Sequence, residues 1–305
     1  MKKIPVRQTI AEAYRFTFVG LEKVIGLIWL PTVILTVGSY FVMSPYLAGM
    51  TQAIETNDFA QQGPHLALMF GFEIACLVLM AMIGVAITRE ILNPLKRPLF
   101  LRFGLGGTEF RLVGALVGLY VLLLLFVILC VIAALALGFV LNAVLPGTAS
   151  LAGAPGTTRG LGMAVLIGLC LSPVLFYLMA RLAFLVVPCV VMEGKFGIER
   201  SWQLTKGNVW RIIGICFAIM LPILIVSLIG QVVILGPEYF NPHLELANDQ
   251  AAMAKHNAEN LRLLASKLPL LVGFSFLLAP FTSGLGFSAP AFAYRALMAQ
   301  EKRPE

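Results

Sequence analysis

The sequence predicts an all-α integral membrane protein: six transmembrane helices, arranged as three pseudo-repeated helical hairpins with short cytoplasmic interfacial helices. Three observations carry that expectation. Apolar residues make up 59% of the chain and charged residues 12%, with a mean hydropathy of +0.92. Runs of about 20 apolar residues, enough for a helix to cross a ~30 Å hydrocarbon core, recur along the chain. A cation followed by two apolar residues and Gly returns at the start of every second run.

Taken in order, residues 1–23 are a basic amphipathic lead-in, with Tyr14, Phe16 and Phe18 ahead of Gly20 and Lys23. The charge reaching to Lys23, the full-length apolar run and the lack of a small-x-small site argue against a cleaved signal peptide. The spans are expected at 24–43, 66–88, 112–144, 163–187, 211–235 and 268–294, the third long enough to tilt or project. Only helices fit such lengths. The outer loop 44–65 is polar and lacks Lys and Arg. Pro94 and Pro98 break any continuous helix ahead of PLFLRFGLGGTEFR. The outer loop 145–160 is a Gly-, Ala-, Thr- and Pro-rich turn. The outer segment 237–267 opens GPEYFNP, then reads as a helix with Leu246, Met253, Leu261, Leu264 and Leu268 on roughly one side. That helix either lies on the outer surface or extends span six.

Orientation follows from Lys and Arg. With six spans, both termini share a side with the 2–3 and 4–5 connections, and that side carries 17 Lys and Arg. The opposite loops hold four: Arg159, Lys255, Arg262 and Lys267. The expectation is a multi-pass protein of the inner (cytoplasmic) membrane with both termini cytoplasmic. After subtracting the glutamates there, that face has a net charge of about +9, suited to anionic lipid headgroups. No basic groove or motif points to nucleic acid.

The stretch from Arg181 to Gly214 is the longest cytoplasmic connection. Residues 198–206 form about two helical turns, with Ile198, Ser201, Trp202 and Thr205 on one face and Glu199, Arg200, Gln203 and Lys206 around the other. Gly207 can take the left-handed conformation that ends a helix, and Asn208 is suited to N-cap the next. Trp210 and Arg211 mark the depth at which that helix enters hydrocarbon. The segment is thus a candidate lipid-headgroup interface, comprising Arg200, Trp202, Lys206, Gly207, Trp210 and Arg211, with Arg111 and Arg181 at matching cytoplasmic ends. A straight helix from 163 to 192 would be about 45 Å long. Arg181 is therefore placed at the surface, with Pro188 starting a change of direction.

The cation patterns are Lys23-Val-Ile-Gly26, Arg111-Leu-Val-Gly114 and Arg211-Ile-Ile-Gly214, each after a Gly-marked break. Each entering span pairs with one that returns and ends at Arg89, Arg181 or Arg295. A single membrane domain, 1–305, would then contain units at 8–92, 98–187 and 196–300.

Arg181, Pro188, Glu193, the run Ser201-Trp202-Gln-Leu-Thr-Lys-Gly207 and Trp210-Arg211 resemble the membrane domain attached to glycerophosphoryl diester phosphodiesterases, and related bacterial six-span inner-membrane proteins. The resemblance covers about 35 residues. It implies a membrane module and no activity, because the phosphodiesterase chemistry of that family belongs to a soluble barrel this chain lacks.

Catalytic constellations are missing from the pattern. His65, His243 and His256 are all assigned to outer loops without metal-ligand spacing, and no nucleophile elbow or phosphate loop appears. No cofactor is expected. Cys76, Cys130, Cys170, Cys189 and Cys216 lie in or beside apolar spans, as small packing residues rather than disulfides. Glu73 is the only acid within a span, a possible intramembrane polar site about two turns from the outer end. The leading expectation is a non-enzymatic inner-membrane module that organises lipid or a membrane protein partner through its basic face. A small permease with a path between the spans is the alternative, and an intramembrane lipid-modifying enzyme the third.

Overall fold

A computed structural model describes residues 3–56, 58–94, 106–144, 172–194, 197–240 and 250–301, with backbone alone for 61, 130, 133–144 and 250. The helices are α1 (Val6–Phe18), α2 (Leu21–Thr56), α3 (Gly63–Leu92), α4 (Gly107–Val144), α5 (172–182), α6 (Val186–Glu193), α7 (Ile198–Thr205), α8 (Val209–Leu235) and α9 (Gln250–Glu301). No strand occurs among the described residues. Six helical stretches are long and apolar enough to cross a membrane, the fourth being α5 and α6 together. The chain is a multi-pass helical membrane protein. Prolines at 31, 45, 222, 269, 280 and 290 lie inside helices, as membrane helices tolerate.

Two sequence expectations change, and one of two alternatives is selected. Residues 44–56, assigned to a loop, continue α2: Ala, Leu, Met and Gln favour helix, and Leu47, Thr51 and Ala53 are buried. The helical outer segment is the first part of α9, which runs 52 residues unbroken, so it extends span six. Arg262 pairs with Glu55 there, tying α9 to the far end of α2. The chain also turns at 183–185, ahead of Pro188. Pro188 sits in the first turn of α6, where its missing N–H leaves no helical bond unmade.

That turn creates α6, which the sequence reading left inside an apolar run. Its Val186, Val187, Cys189 and Val190 are buried, and it packs against α3, α4, α7 and α9. The 145–160 turn and the start of span four lie outside the described residues, as do 95–105 and His243. His65 and His256 stand on α3 and α9 rather than in loops. Cys76, Cys189 and Cys216 are free thiols.

Helix packing positions the end of the bundle that bears Lys23, Arg89, Arg111, Arg181, Arg211 and Arg295, hereafter the charged end. The first helices after Lys23, Arg111 and Arg211 bury the same positions: Val24, Leu27 and Pro31; Leu112, Ala115 and Leu119; Ile212, Ile215 and Ile219. In two hairpins a glycine on the entering helix admits a ring from the returning one. A Cβ on Gly38 would lie 2.5 Å from the Phe72 ring, and one on Gly230 would lie 2.1 Å from that of Phe274. Such close approach is available only without a side chain.

Candidate functional site

At the charged end each returning arginine is held by the segment that enters next. Arg89 donates to Glu109 at 3.0 Å. Glu109, 4% exposed, also accepts from the Gly106 N–H at 3.0 Å, so it caps α4 and neutralises α3 at once. Arg181 lies with its guanidinium 3.4 Å from the centroid of the Trp202 ring and donates to the Trp202 carbonyl at 3.1 Å. Arg295 donates to Glu12 at 2.8 Å and stands over the Phe292 ring. The contacts therefore run α3 to α4, α5 to α7 and α9 back to α1. Helix packing follows the same order: α3 lies on α4, Phe176 of α5 meets Phe217 of α8, and α9 lies on α2.

A second set of bonds ties the centre. Arg200 reaches Glu193 at 3.1 Å and Glu301 at 3.4 Å, while the Tyr294 hydroxyl donates to Glu193 at 3.1 Å. Burial alone would lower the Arg200 pKa. The hydrogen bond and charge of Glu193, with Glu301 behind it, outweigh that and hold it above the ordinary value. The N-terminal segment ahead of α1 is held through its backbone: the Ile4 N–H donates to the Asn208 side chain at 3.0 Å and the Ile4 carbonyl accepts from Arg211 at 2.8 Å. Gln300 takes both backbone groups of Lys3 in the same way.

These bonds redistribute the predicted interface residues. The helix at Ile198–Thr205 forms, and Gly207 ends it with φ +76°. Asn208, however, makes no side-chain cap on α8, because its oxygen is engaged by Ile4. Arg181, Arg200 and Arg211, each partly exposed, all bond other groups of the protein. Arg111 is exposed and lies against Gly194, the left-handed residue that ends α6, where a cation suits the helix dipole. Lys206 is exposed, with no acid paired to it among the described residues. Trp210 is 84% exposed, and Trp202 is covered on one face by Arg181.

Sequence reasoning missed Ile4 and α6 as organising elements, and singled out Asn208 without its partner Ile4. The signal for α6 was present in an apolar run too long for one span; for Ile4 there was none beyond an isolated apolar residue. Glu73 is exposed on α3, ten residues beyond Gly63. No hydrogen bond or ion pair reaches it among the described residues. No group of His, Cys, Asp and Glu among those residues is arranged to hold a metal. No protein-family model matches the chain, and neither a curated protein nor a solved structure matches it.

Proposed function

We infer that this chain is a non-enzymatic inner-membrane module that organises lipid, or a membrane protein partner, with its charged end and both termini in the cytoplasm. The observation that carries the reading is the pair left over at the entry of α8. Trp210 is almost fully exposed and Lys206 is unpaired among the described residues, on a scaffold whose neighbouring arginines are tied down. An indole has an apolar body and an N–H that seeks a polar partner, which suits headgroup depth. An ammonium beside it attracts an anionic headgroup. The resemblance around Arg181–Arg211 supports the same reading, since it implies a module without its own chemistry.

We propose that the module is built from three units of one design, a span in and a span out, with a short helix, α1 or α7, leading the first and third and the lead-in of the second lying outside the described residues. Support comes from the shared burial register after Lys23, Arg111 and Arg211, and from the returning arginines that each bind the next entry. Orientation is tested by reporter fusions. Those at 55, 155 and 250 should report the outer side and those at 100 and 200 the cytoplasm; a cytoplasmic signal at 155 overturns the topology. Lipid organisation is tested in nanodiscs containing phosphatidylglycerol. Lys206→Gln with Trp210→Ala should lower retained phosphatidylglycerol about fivefold, roughly the loss of one headgroup cation and one interfacial ring. Unchanged retention overturns the anionic-lipid role.

A further inference from the structure

A groove lies at the charged end between α1, the start of α2 and the end of α9, with a volume of about 730 Å³. α1 slants down α9: Lys3 bonds Gln300, Glu12 bonds Arg295, and Thr17 lies against Gly284. The groove therefore begins among charges and ends at the α1–α2 turn, where Val19 is 81% and Phe18 53% exposed. Phe16 and Phe292 line its apolar part. Three of its charges are already used, Arg295 and Glu12 by each other and Lys23 by Glu90 at 3.3 Å. Arg15 and Glu22 also line it, both exposed, and neither bonds a partner among the described residues.

A groove of equal volume lies beside α7, lined by Glu193, Glu199, Arg200 and Gln203. There the polar groups satisfy one another: Arg200 bonds Glu193, and Gln203 bonds Glu199. Of these two grooves, the one at α1 presents a cation and a carboxylate that are unpaired among the described residues, above an apolar exit. A single-sign ligand would leave one of them unmatched. A phosphate joined to a primary ammonium matches both, the phosphate accepting from Arg15 and the ammonium donating to Glu22. The apolar exit at Val19 gives its chains a path to the bilayer.

We propose that the groove formed by Arg15, Glu22, Phe16 and Phe292 binds the headgroup of a zwitterionic phospholipid with a primary amine, of the phosphatidylethanolamine class. The proposal rests on the reading of the chain as a lipid-organising module and names the lipid of a separate groove. A quaternary ammonium offers no N–H to Glu22, so phosphatidylcholine serves as the control headgroup.

The test uses the full chain in nanodiscs of phosphatidylethanolamine, phosphatidylcholine and phosphatidylglycerol in equal parts, with lipid retained after gentle re-extraction counted by native mass spectrometry. The parent should keep phosphatidylethanolamine about fivefold over phosphatidylcholine, the scale of one charge-assisted hydrogen bond at a half-open site. Glu22→Gln should bring the ratio to about one while phosphatidylglycerol retention stays at the parent level. Arg15→Gln should lower both zwitterionic lipids, and Arg15→Lys should recover part of that loss. All variants should elute and melt as the parent does, because neither side chain has a partner to lose. Equal retention of the two zwitterionic lipids by the parent, or an unchanged ratio in Glu22→Gln, overturns the site. Displacement of the retained lipid by millimolar soluble phosphoethanolamine assigns the groove to a free metabolite and also overturns it. Phosphatidylglycerol retention in the same spectra reports the broader reading separately.

Discussion

The two slanting helices, α1 and α7, share a sequence register and differ in what they hold. Counted back from Lys23 and Arg211, Thr17 matches Thr205, Ala13 matches Ser201, Tyr14 matches Trp202 and Ile10 matches Ile198. Ala13, Thr17, Ser201 and Thr205 are all buried, so both helices turn a small-residue face inward. Their partners diverge because α5 stops and α9 does not. The end of α5 leaves the Arg181 carbonyl without a helical donor. Ser201 and Thr205 hydroxyls both come within 3.1 Å of it, although Thr205 also reaches its own Ser201 carbonyl at 2.8 Å. α9 continues past Arg295 and uses its carbonyls internally. Thr17 finds no acceptor there and packs against Gly284 instead, its hydroxyl buried without a partner. A helix break thus fixes α7 by hydrogen bonds at the level of Arg181. An unbroken helix lets α1 slide deeper, held by an ion pair, by the Tyr14 hydroxyl on the Ala218 carbonyl at 2.9 Å, and by Ile4.

The strongest way to break the comparison is at the entries of the two helices. Gly197 precedes α7 with φ +72°, and a Cβ there would lie 2.9 Å from Val190 Cγ2 and 3.2 Å from the Val186 carbonyl. Gly197→Val should destabilise by about 3 kcal/mol or more and deplete the monodisperse fraction in detergent. Pro5, the ordinary extended residue before α1, should tolerate Ala with a change of about 0.5 kcal/mol. Similar losses at both sites would mean the entries are not fixed differently.

The arginines come next. Arg181→Gln removes a stacked guanidinium and a bond to the Trp202 carbonyl, and should cost about 2 kcal/mol in a detergent melt. Arg295→Gln removes a half-exposed ion pair and should cost about 1 kcal/mol or less. The reverse ranking would place the tighter closure at α1.

A smaller change carries the sharper sign. Thr205→Val should destabilise by about 1 kcal/mol, since its hydroxyl has acceptors in a buried setting. Thr17→Val should be neutral or slightly stabilising, because it removes a buried hydroxyl that bonds nothing. Paired melting curves of the two variants suffice, and equal destabilisation would mean Thr17 has an acceptor.

Local pattern made the spans, α7 and the left-handed Gly207 legible, because hydropathy, amphipathic spacing and a glycine stop all act within a few residues. Asn208 shows the limit. Its type and place fit an N-cap, yet a backbone N–H 204 residues away takes its oxygen. The same holds for Arg211 with Ile4, for Arg295 with Glu12 and for Arg200 with Glu301. A cation at a membrane edge looks free in sequence, since nothing local distinguishes a headgroup ligand from a partner on another helix. The turn at 183–185 was hidden for a different reason: the residues on both sides are apolar, one set largely exposed on α5 and the other packed against α7 and α9.

The central claim is that the arginines of the charged end serve its structure, while the cation left unpaired beside Trp210 serves lipid. It is tested most directly by comparing Arg200→Gln with Lys206→Gln, reading melting temperature and phosphatidylglycerol retention by native mass spectrometry on the same preparations. The account predicts that Arg200→Gln lowers the melting temperature, by the loss of its bonds to Glu193 and Glu301, and leaves retention at the parent level. Lys206→Gln should leave the melting temperature unchanged and lower retention. Retention lost with Arg200→Gln and kept with Lys206→Gln would contradict the claim.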